Sequence, residues 1–306
     1  MKVAIVGVGM VGATVAYGLI SQGVCSELVL IDKNTKKAEG EALDLKDCIT
    51  YLNGNTKIYA GTYKDCKDSD IVVLTVSKMA PTDSKNTRIS MLKSSKELIS
   101  EIVPQIMKSG FNGTFIVISN PVDVISYYVY KLSNLPKNRI IGTGTSLDSA
   151  RLRGYIADLI NINPTDITAY TLGEHGDSQM VPWSNVSVLG KSLDTYLKEE
   201  KKEQIKEKTI KKGWKIVEGK NNTYYGVATS AIAIIKAVIN NENTVIPVSV
   251  LLDGEYGQKD VFCSVPVILN RNGASKILEV DMLEKEDKEL KKSVENIRKY
   301  IKMGGF

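Results

Sequence analysis

Histidine is almost absent from this sequence. Its 306 residues contain one, His175, and four cysteines, Cys25, Cys48, Cys66 and Cys263, none in a C-x-x-C pair or any other paired spacing. So few imidazoles and no paired thiols exclude a His/Cys metal site and a disulfide framework. The cysteines read as reduced thiols of a cytosolic protein, and none has the sequence context of a nucleophile. No stretch approaches eighteen uncharged apolar residues, so no membrane span is expected. The first strand-like run starts at residue 2 and leaves no room for a signal peptide. Internal repeats, low-complexity tracts and Pro/Gly/Ser linkers are also missing. Charge of one sign is not clustered: 40 Lys and Arg against 35 Asp and Glu leave +5. The basic run from Lys198 mixes signs at i,i+4, as a solvated helix face does. This excludes a nucleic-acid groove and leaves solubility or a small anionic ligand as the meaning of the charge.

What is present is an ordinary soluble composition, 43% hydrophobic and 25% charged, long enough for one large or two medium domains. Apolar runs rich in β-branched residues predict strands at about 2–6, 27–31, 56–60, 70–75, 113–118 and 138–142. Helices fall between them, notably at 10–22, 34–50 and 87–108. That alternation predicts an α/β domain with a parallel sheet, helices on both faces and ligands at the strand ends. Beyond residue 143 the pattern becomes mixed. A helix at 145–160 is followed by strand-like runs 167–172 and 180–188, then helices at 195–219 and 223–240. Strands at 244–251, 260–264 and 266–270 precede a terminal helix at 283–302. The expected division is 1–142 for a Rossmann-type nucleotide domain and 143–306 for an α+β substrate domain, packed as one unit with the site at their junction.

Four motifs carry chemistry. Gly7-x-Gly9-x-x-Gly12 follows a strand and opens a helix, with Met10 and Val11 inside the loop. Glycines there allow a tight turn, close approach of backbone to a pyrophosphate and close helix–strand packing. Asp32 ends the second strand twenty residues after Gly12, where a carboxylate accepts from adenosine ribose hydroxyls and repels a 2′-phosphate. The pair of features points to NAD rather than NADP. Ser119-Asn120-Pro121-Val122-Asp123 places an amide at a strand end; an ordinary helix cap followed by Pro explains it equally well. Asp148 and Arg151 share a helix face at i,i+3, either as a surface ion pair or as a histidine partner beside a carboxylate-binding fork. His175 lies in Gly173-Glu-His-Gly-Asp-Ser178. It is the one side chain that trades a proton near neutral pH, or else a hydrogen-bonded structural histidine.

In this order, Gly7/Gly9/Gly12, Asp32, Asn120-Pro-Val-Asp, Asp148-Ser-Ala-Arg151 and Gly-Glu-His175-Gly-Asp-Ser resemble the NAD-dependent L-lactate/malate dehydrogenase family over essentially the whole chain. Within the family the chain is most similar to the lactate-type enzymes and their relatives, the L-2-hydroxyisocaproate dehydrogenases, and residues 117–125 and 225–232 resemble the latter closely. The resemblance implies a cytoplasmic homo-oligomer, dimer or tetramer, that moves a hydride between NADH and a small 2-oxo acid. It implies that His175 is the proton donor, Asp148 its orienting partner, Arg151 the grip on the substrate carboxylate and Arg88 the polariser of the carbonyl. Asn120 would contact substrate and ribose, Thr143 and Val227 would line the nicotinamide pocket, and Thr223 would adjoin the substrate. Residues 76–88 would form a lid that excludes water.

In the family a residue about six before the lid arginine selects the substrate side chain, Gln in lactate enzymes and Arg in malate enzymes. Here residues 76–87 contain neither, and Met79, Ala80 and Pro81 suggest an apolar wall. Without an arginine the second carboxylate of oxaloacetate lacks a partner, which disfavours malate. Arg153 matches half of the sugar-bisphosphate site of activated bacterial lactate enzymes, but Thr168 stands where the histidine belongs, so that activation is not expected. A related glycosidase class needs a Cys-His metal motif that is missing. A non-catalytic NAD-binding protein would not need the His175, Asp148, Arg151 and Arg88 set.

Overall fold

The fold is that of a computed structural model in which residues 1–77 and 87–305 are described, the side chains of 87–90 excepted. Six parallel strands form its first half: β1 (Lys2–Val6), β2 (Glu27–Ile31), β3 (Lys57–Ala60), β4 (Ile71–Leu74), β5 (Thr114–Val117) and β6 (Ile140–Gly142). Their order in the sheet is β3-β2-β1-β4-β5-β6. Between them run α1 (Met10–Ser21), α2 (Thr35–Cys48), α3 (Thr87–Lys108) and α4 (Val122–Ser133). Strands β4 and β5 read IVVL and TFIV and every residue is buried, as helices on both faces require. The order reverses between β1 and β4, the switch point where a doubly wound sheet opens its ligand crevice.

The second half begins with α5 (Ser146–Ile160) and a small sheet of β7 (Ile167–Thr168), β8 (Ser187–Val188) and β9 (Lys191–Ser192). Then come α6 (Glu199–Lys220), α7 (Tyr225–Ile239), β10 (Thr244–Asp253), β11 (Lys259–Asn270), β12 (Gly273–Ile277) and α8 (Glu284–Met303). Strand β10 joins the parallel sheet antiparallel to β6 through Ser249 and Gly142, and the meander β10-β11-β12 completes nine strands. A side chain at Gly142 has no room, since a Cβ there would lie 2.5 Å from Ser126 Oγ and 2.9 Å from Ser249 Cβ. The large core follows this sheet across both halves. A smaller core lies under α5 and the small sheet.

Several elements differ from expectation. The runs at 260–264 and 266–270 form one strand through Pro266. That proline faces Pro247 on β10, and its carbonyl accepts from Leu278 on the far side. Its missing N–H is therefore not one the β10 ladder needs. Strand β12 was not anticipated. Its sequence, GASKI, is short and partly exposed, as edge strands are. The run at 167–172 is a strand only at its first two residues, and 180–188 only at its last two. Leu172 and Met180 form a single bridge, and Pro182 with the turn at Trp183–Asn185 breaks the second run. The lid expected at 76–88 falls mostly outside the described residues. Arg88 lies in the first turn of α3, and its side chain is outside them too. Among the described residues, no helix is long and apolar enough to cross a membrane.

Candidate active site

The glycine loop leaves β1 with Gly7 at φ +97° and enters α1 through Gly9. The three glycines do different things. A Cβ at Gly12 would sit 2.0 Å from the Gly7 carbonyl oxygen, so Gly12 lets the helix close on the turn. At Gly7 a Cβ would meet Thr75 and Val76 at 3.0–3.1 Å. At Gly9 a Cβ would meet nothing within 4 Å, which makes this the open face of the loop. No side chain caps the start of α1, and Met10 is exposed there. An uncapped helix end beside a bare backbone is a phosphate cradle, and the donor set fits a dinucleotide.

Asp32 follows β2. Its Oδ2 accepts from Val8 N at 2.9 Å and its Oδ1 from Asn34 N at 2.9 Å. The carboxylate thus braces the loop itself. A carboxylate has about four acceptor positions, so room remains for ribose hydroxyls. Asn120 stands exposed at the end of β5, with its Oδ1 accepting from Val122 N at 3.3 Å and its carbonyl accepting from Ser95 on α3. It is not the helix cap; α4 starts after Pro121. Thr143 follows β6 and is buried, its N–H on Val117 O at 2.9 Å.

Helix α5 presents Asp148 and Arg151 from one face. Asp148 is almost fully buried, with Oδ1 accepting from Arg151 Nη1 at 3.1 Å and Oδ2 bonded to His175 Nδ1 at 2.6 Å. The imidazole keeps 27% of its side chain exposed and the Arg151 side chain 10%. Burial works against the imidazolium, but the charge and hydrogen bond of Asp148 outweigh it and hold the His175 pKa above its usual value. Burial likewise opposes ionisation of Asp148, yet His175 and Arg151 keep its carboxyl below the ordinary range. The result is a buried carboxylate between a guanidinium and a titratable imidazole. Helix α6 backs this group: a Cβ at Gly213 would lie 3.6 Å from both Arg151 Nη atoms.

The geometry therefore joins His175, Asp148 and Arg151 directly. Thr223 and Val227 lie at the entry to α7, partly buried. Among the described residues, Thr223 makes no hydrogen bond to that trio; its N–H bonds Asn222.

Residues 1–142 match the lactate/malate dehydrogenase NAD-binding domain, and residues 145–305 match the lactate/malate dehydrogenase alpha/beta C-terminal domain. The chain belongs to the lactate/malate dehydrogenase family. An L-lactate dehydrogenase 3 of Bacillus cereus is 46% identical over 312 residues, covering 100% of this chain and 98% of the relative. A crystallised lactate dehydrogenase from a Medee basin deep-sea metagenome library superposes with a TM-score of 0.96 at 41% identity, covering 100% and 99% of the two chains. The malate dehydrogenase of Salinibacter ruber gives 0.92 at 29% identity, covering 99% and 97%. Both activities of the lactate/malate dehydrogenase family thus share this fold, and NAD is the nucleotide its N-terminal domain holds.

Sequence reasoning missed the support beneath the histidine. The peptide N–H of His175 donates to Asp123 Oδ2 at 2.8 Å. Ser293 of α8 accepts from Glu174 N at 2.8 Å, and the Ser178 hydroxyl donates to Glu174. The available signal was polar residues inside apolar runs, Ser249 in VSVLL and Ser264 in FCSVP, because a buried hydroxyl needs a partner.

Proposed function

We propose that this protein is an NAD-dependent L-2-hydroxyacid dehydrogenase of the L-lactate type. The observation that carries the reading is the contact chain Arg151–Asp148–His175 at 3.1 and 2.6 Å, in a chain that also carries the uncapped glycine loop at the start of α1. The lactate-type relatives at 41–46% identity support it over malate. Residues 1–142 serve as the nucleotide half and 143–306 as the substrate half in this reading.

Gly7, Gly9, Met10, Val11, Gly12 and Asp32 would hold the adenosine and pyrophosphate end, with Asn120, Thr143 and Val227 around the nicotinamide. When bound, NADH supplies the hydride. Ionised Asp148 accepts from His175 Nδ1–H and fixes the tautomer, which leaves Nε2 as the atom that gives its proton to the developing alkoxide. Arg151 uses one Nη1 bond on Asp148 and keeps further N–H groups for the substrate carboxylate. Arg88 is assigned to carbonyl polarisation and Thr223 to the substrate side.

The reading includes a homo-oligomer in the cytoplasm. Light scattering tests the former. The deciding experiment follows loss of NADH absorbance with pyruvate, 2-oxobutyrate, 2-oxoisocaproate, phenylpyruvate and oxaloacetate. Turnover of pyruvate or a larger apolar 2-oxo acid is the expected result. No turnover of any of them ends the proposal. His175→Asn should keep NADH binding and lower turnover by about 10²–10⁴-fold.

A further inference from the structure

His175 is anchored twice, by its ring on Asp148 and by its peptide N–H on Asp123. Asp123 sits in the first turn of α4, 3% exposed, and its Oδ1 accepts from Ser249 Oγ at 2.6 Å and Ser264 Oγ at 3.4 Å. Ser249 and Ser264 stand opposite each other on β10 and β11, so their hydroxyls share a face. Ser264 also exchanges both backbone hydrogen bonds with Gly173, at 2.9 and 3.0 Å. Its Oγ accepts from Thr145 N at 3.1 Å, at the start of the helix that carries Asp148. One carboxylate thus ties together α4, the two strands, the histidine loop and the root of α5.

On the reading that His175 is the proton donor, we propose that Asp123 is a positioning residue whose oxygen fixes the His175 peptide and whose negative charge, together with that of Asp148, favours the protonated ring. A neutral amide could accept the same N–H, so a carboxylate in so buried a place points to a use for its charge. The titratable and charged groups facing it are His175, with Asp148 and Arg151 beyond the ring, Glu174 on the same loop and Cys263 on β11. From α8 the neighbours of this loop are the neutral Ser293 and, lining a cavity with Glu174, Asp177 and Ser178, Lys299 and Tyr300, while Arg298 acts on Cys263. Burial pushes Asp123 up to about 6, while the Ser249 hydroxyl and the His175 N–H pull it down. Its charge is therefore present at neutral pH and lost on the acid side, where His175 is still protonated.

The single histidine makes the test direct. In wild type, kcat/KM for reduction should fall above the raised His175 pKa. In Asp123→Asn that fall should move down by about half to one pH unit. The imidazole proton resonance, followed by NMR titration without substrate, should show the same downward shift. Asp123→Ala, which removes the acceptor, should lose at least about tenfold in kcat with NADH binding kept. An Asp123→Asn protein whose histidine titrates as in wild type overturns the proposal, as does an Asp123→Ala protein with wild-type kcat. The NMR readout stands without turnover, so a wild type inactive on every 2-oxo acid would end the functional reading and leave this test intact.

Discussion

At the scale of the residue, the site rests on how two carboxylates treat one imidazole. Asp148 raises the His175 pKa, so protonated His175 persists to higher pH than an ordinary imidazole and the reductive reaction should decline only as pH rises through that raised value. Asp148→Asn removes the charge, so the decline should begin at least about one pH unit lower. A pH series of kcat/KM checks this, and an unmoved profile would detach Asp148 from the histidine. Arg151→Lys keeps charge but loses the planar fork, and should weaken binding of the 2-oxo acid far more than binding of NADH. Equal acid affinity in the variant would place the carboxylate elsewhere. Asp123 has a stability consequence of opposite sense to an ordinary salt-bridged Asp. Its folded pKa is raised from 3.8 to about 6, so its favourable contribution is complete below pH 4 and lost as pH rises through about 6. Asp123→Asn should therefore melt higher than wild type at pH 7 but not at pH 4, the stability gain at pH 7 being at most about 3 kcal/mol. Thermal melts at the two pH values decide it.

At the scale of the element, the glycine loop separates what the fold needs from what a cofactor needs. Gly9→Ala adds a methyl that touches no protein atom, so the variant should melt close to wild type and yet bind NADH poorly, because the methyl occupies the open face. Gly12→Ala places Cβ 2.0 Å from the Gly7 carbonyl and should destabilise the domain itself. Paired melts and NADH titrations distinguish the two, and a Gly9→Ala protein with unchanged NADH affinity would move the nucleotide off this loop. Strand–helix alternation to residue 142 could be read in the sequence because each buried parallel strand is a short continuous apolar run bounded by turns. The later strands were harder to read. Pro266 is tolerated mid-strand only because its nitrogen faces away from β10, and orientation across a ladder is invisible in a linear sequence. Asp148 and Arg151 could be paired because i,i+3 is local. Asp123, Ser249 and Ser264 could not, since the closest two are separated by 15 positions and their meeting depends on strand register.

At the scale of the whole molecule, one continuous sheet carries both halves of the reaction. Strands β1 to β6 end at the glycine loop, Asp32, Asn120 and Thr143, while the meander attached to β6 supports the histidine loop through Ser264. The two halves of the site are therefore fixed relative to each other by backbone ladders, and substrate choice falls to charge and shape around Arg151. Within the contact cluster the cations are Arg151 and a proton-donating His175, both balanced against Asp148. On the proposed assignment, a monocarboxylate substrate brings one negative charge to Arg151. Oxaloacetate brings a second, and residues 76–87 of the sequence offer no arginine for it, only Lys78 and Lys85 beside Met79, Ala80 and Pro81. Leaving a buried charge without its partner costs about 2–5 kcal/mol. Since about 1.4 kcal/mol is tenfold, kcat/KM for pyruvate should exceed that for oxaloacetate by roughly 30-fold or more. Larger apolar side chains gain about 0.8 kcal/mol per buried methylene, so 2-oxobutyrate should bind at least as tightly as pyruvate. An arginine introduced singly at positions 79 to 82 should raise oxaloacetate reduction at one of the four and depress pyruvate reduction there. Faster wild-type turnover of oxaloacetate than of pyruvate and 2-oxoisocaproate would reverse the assignment to the malate side of the family.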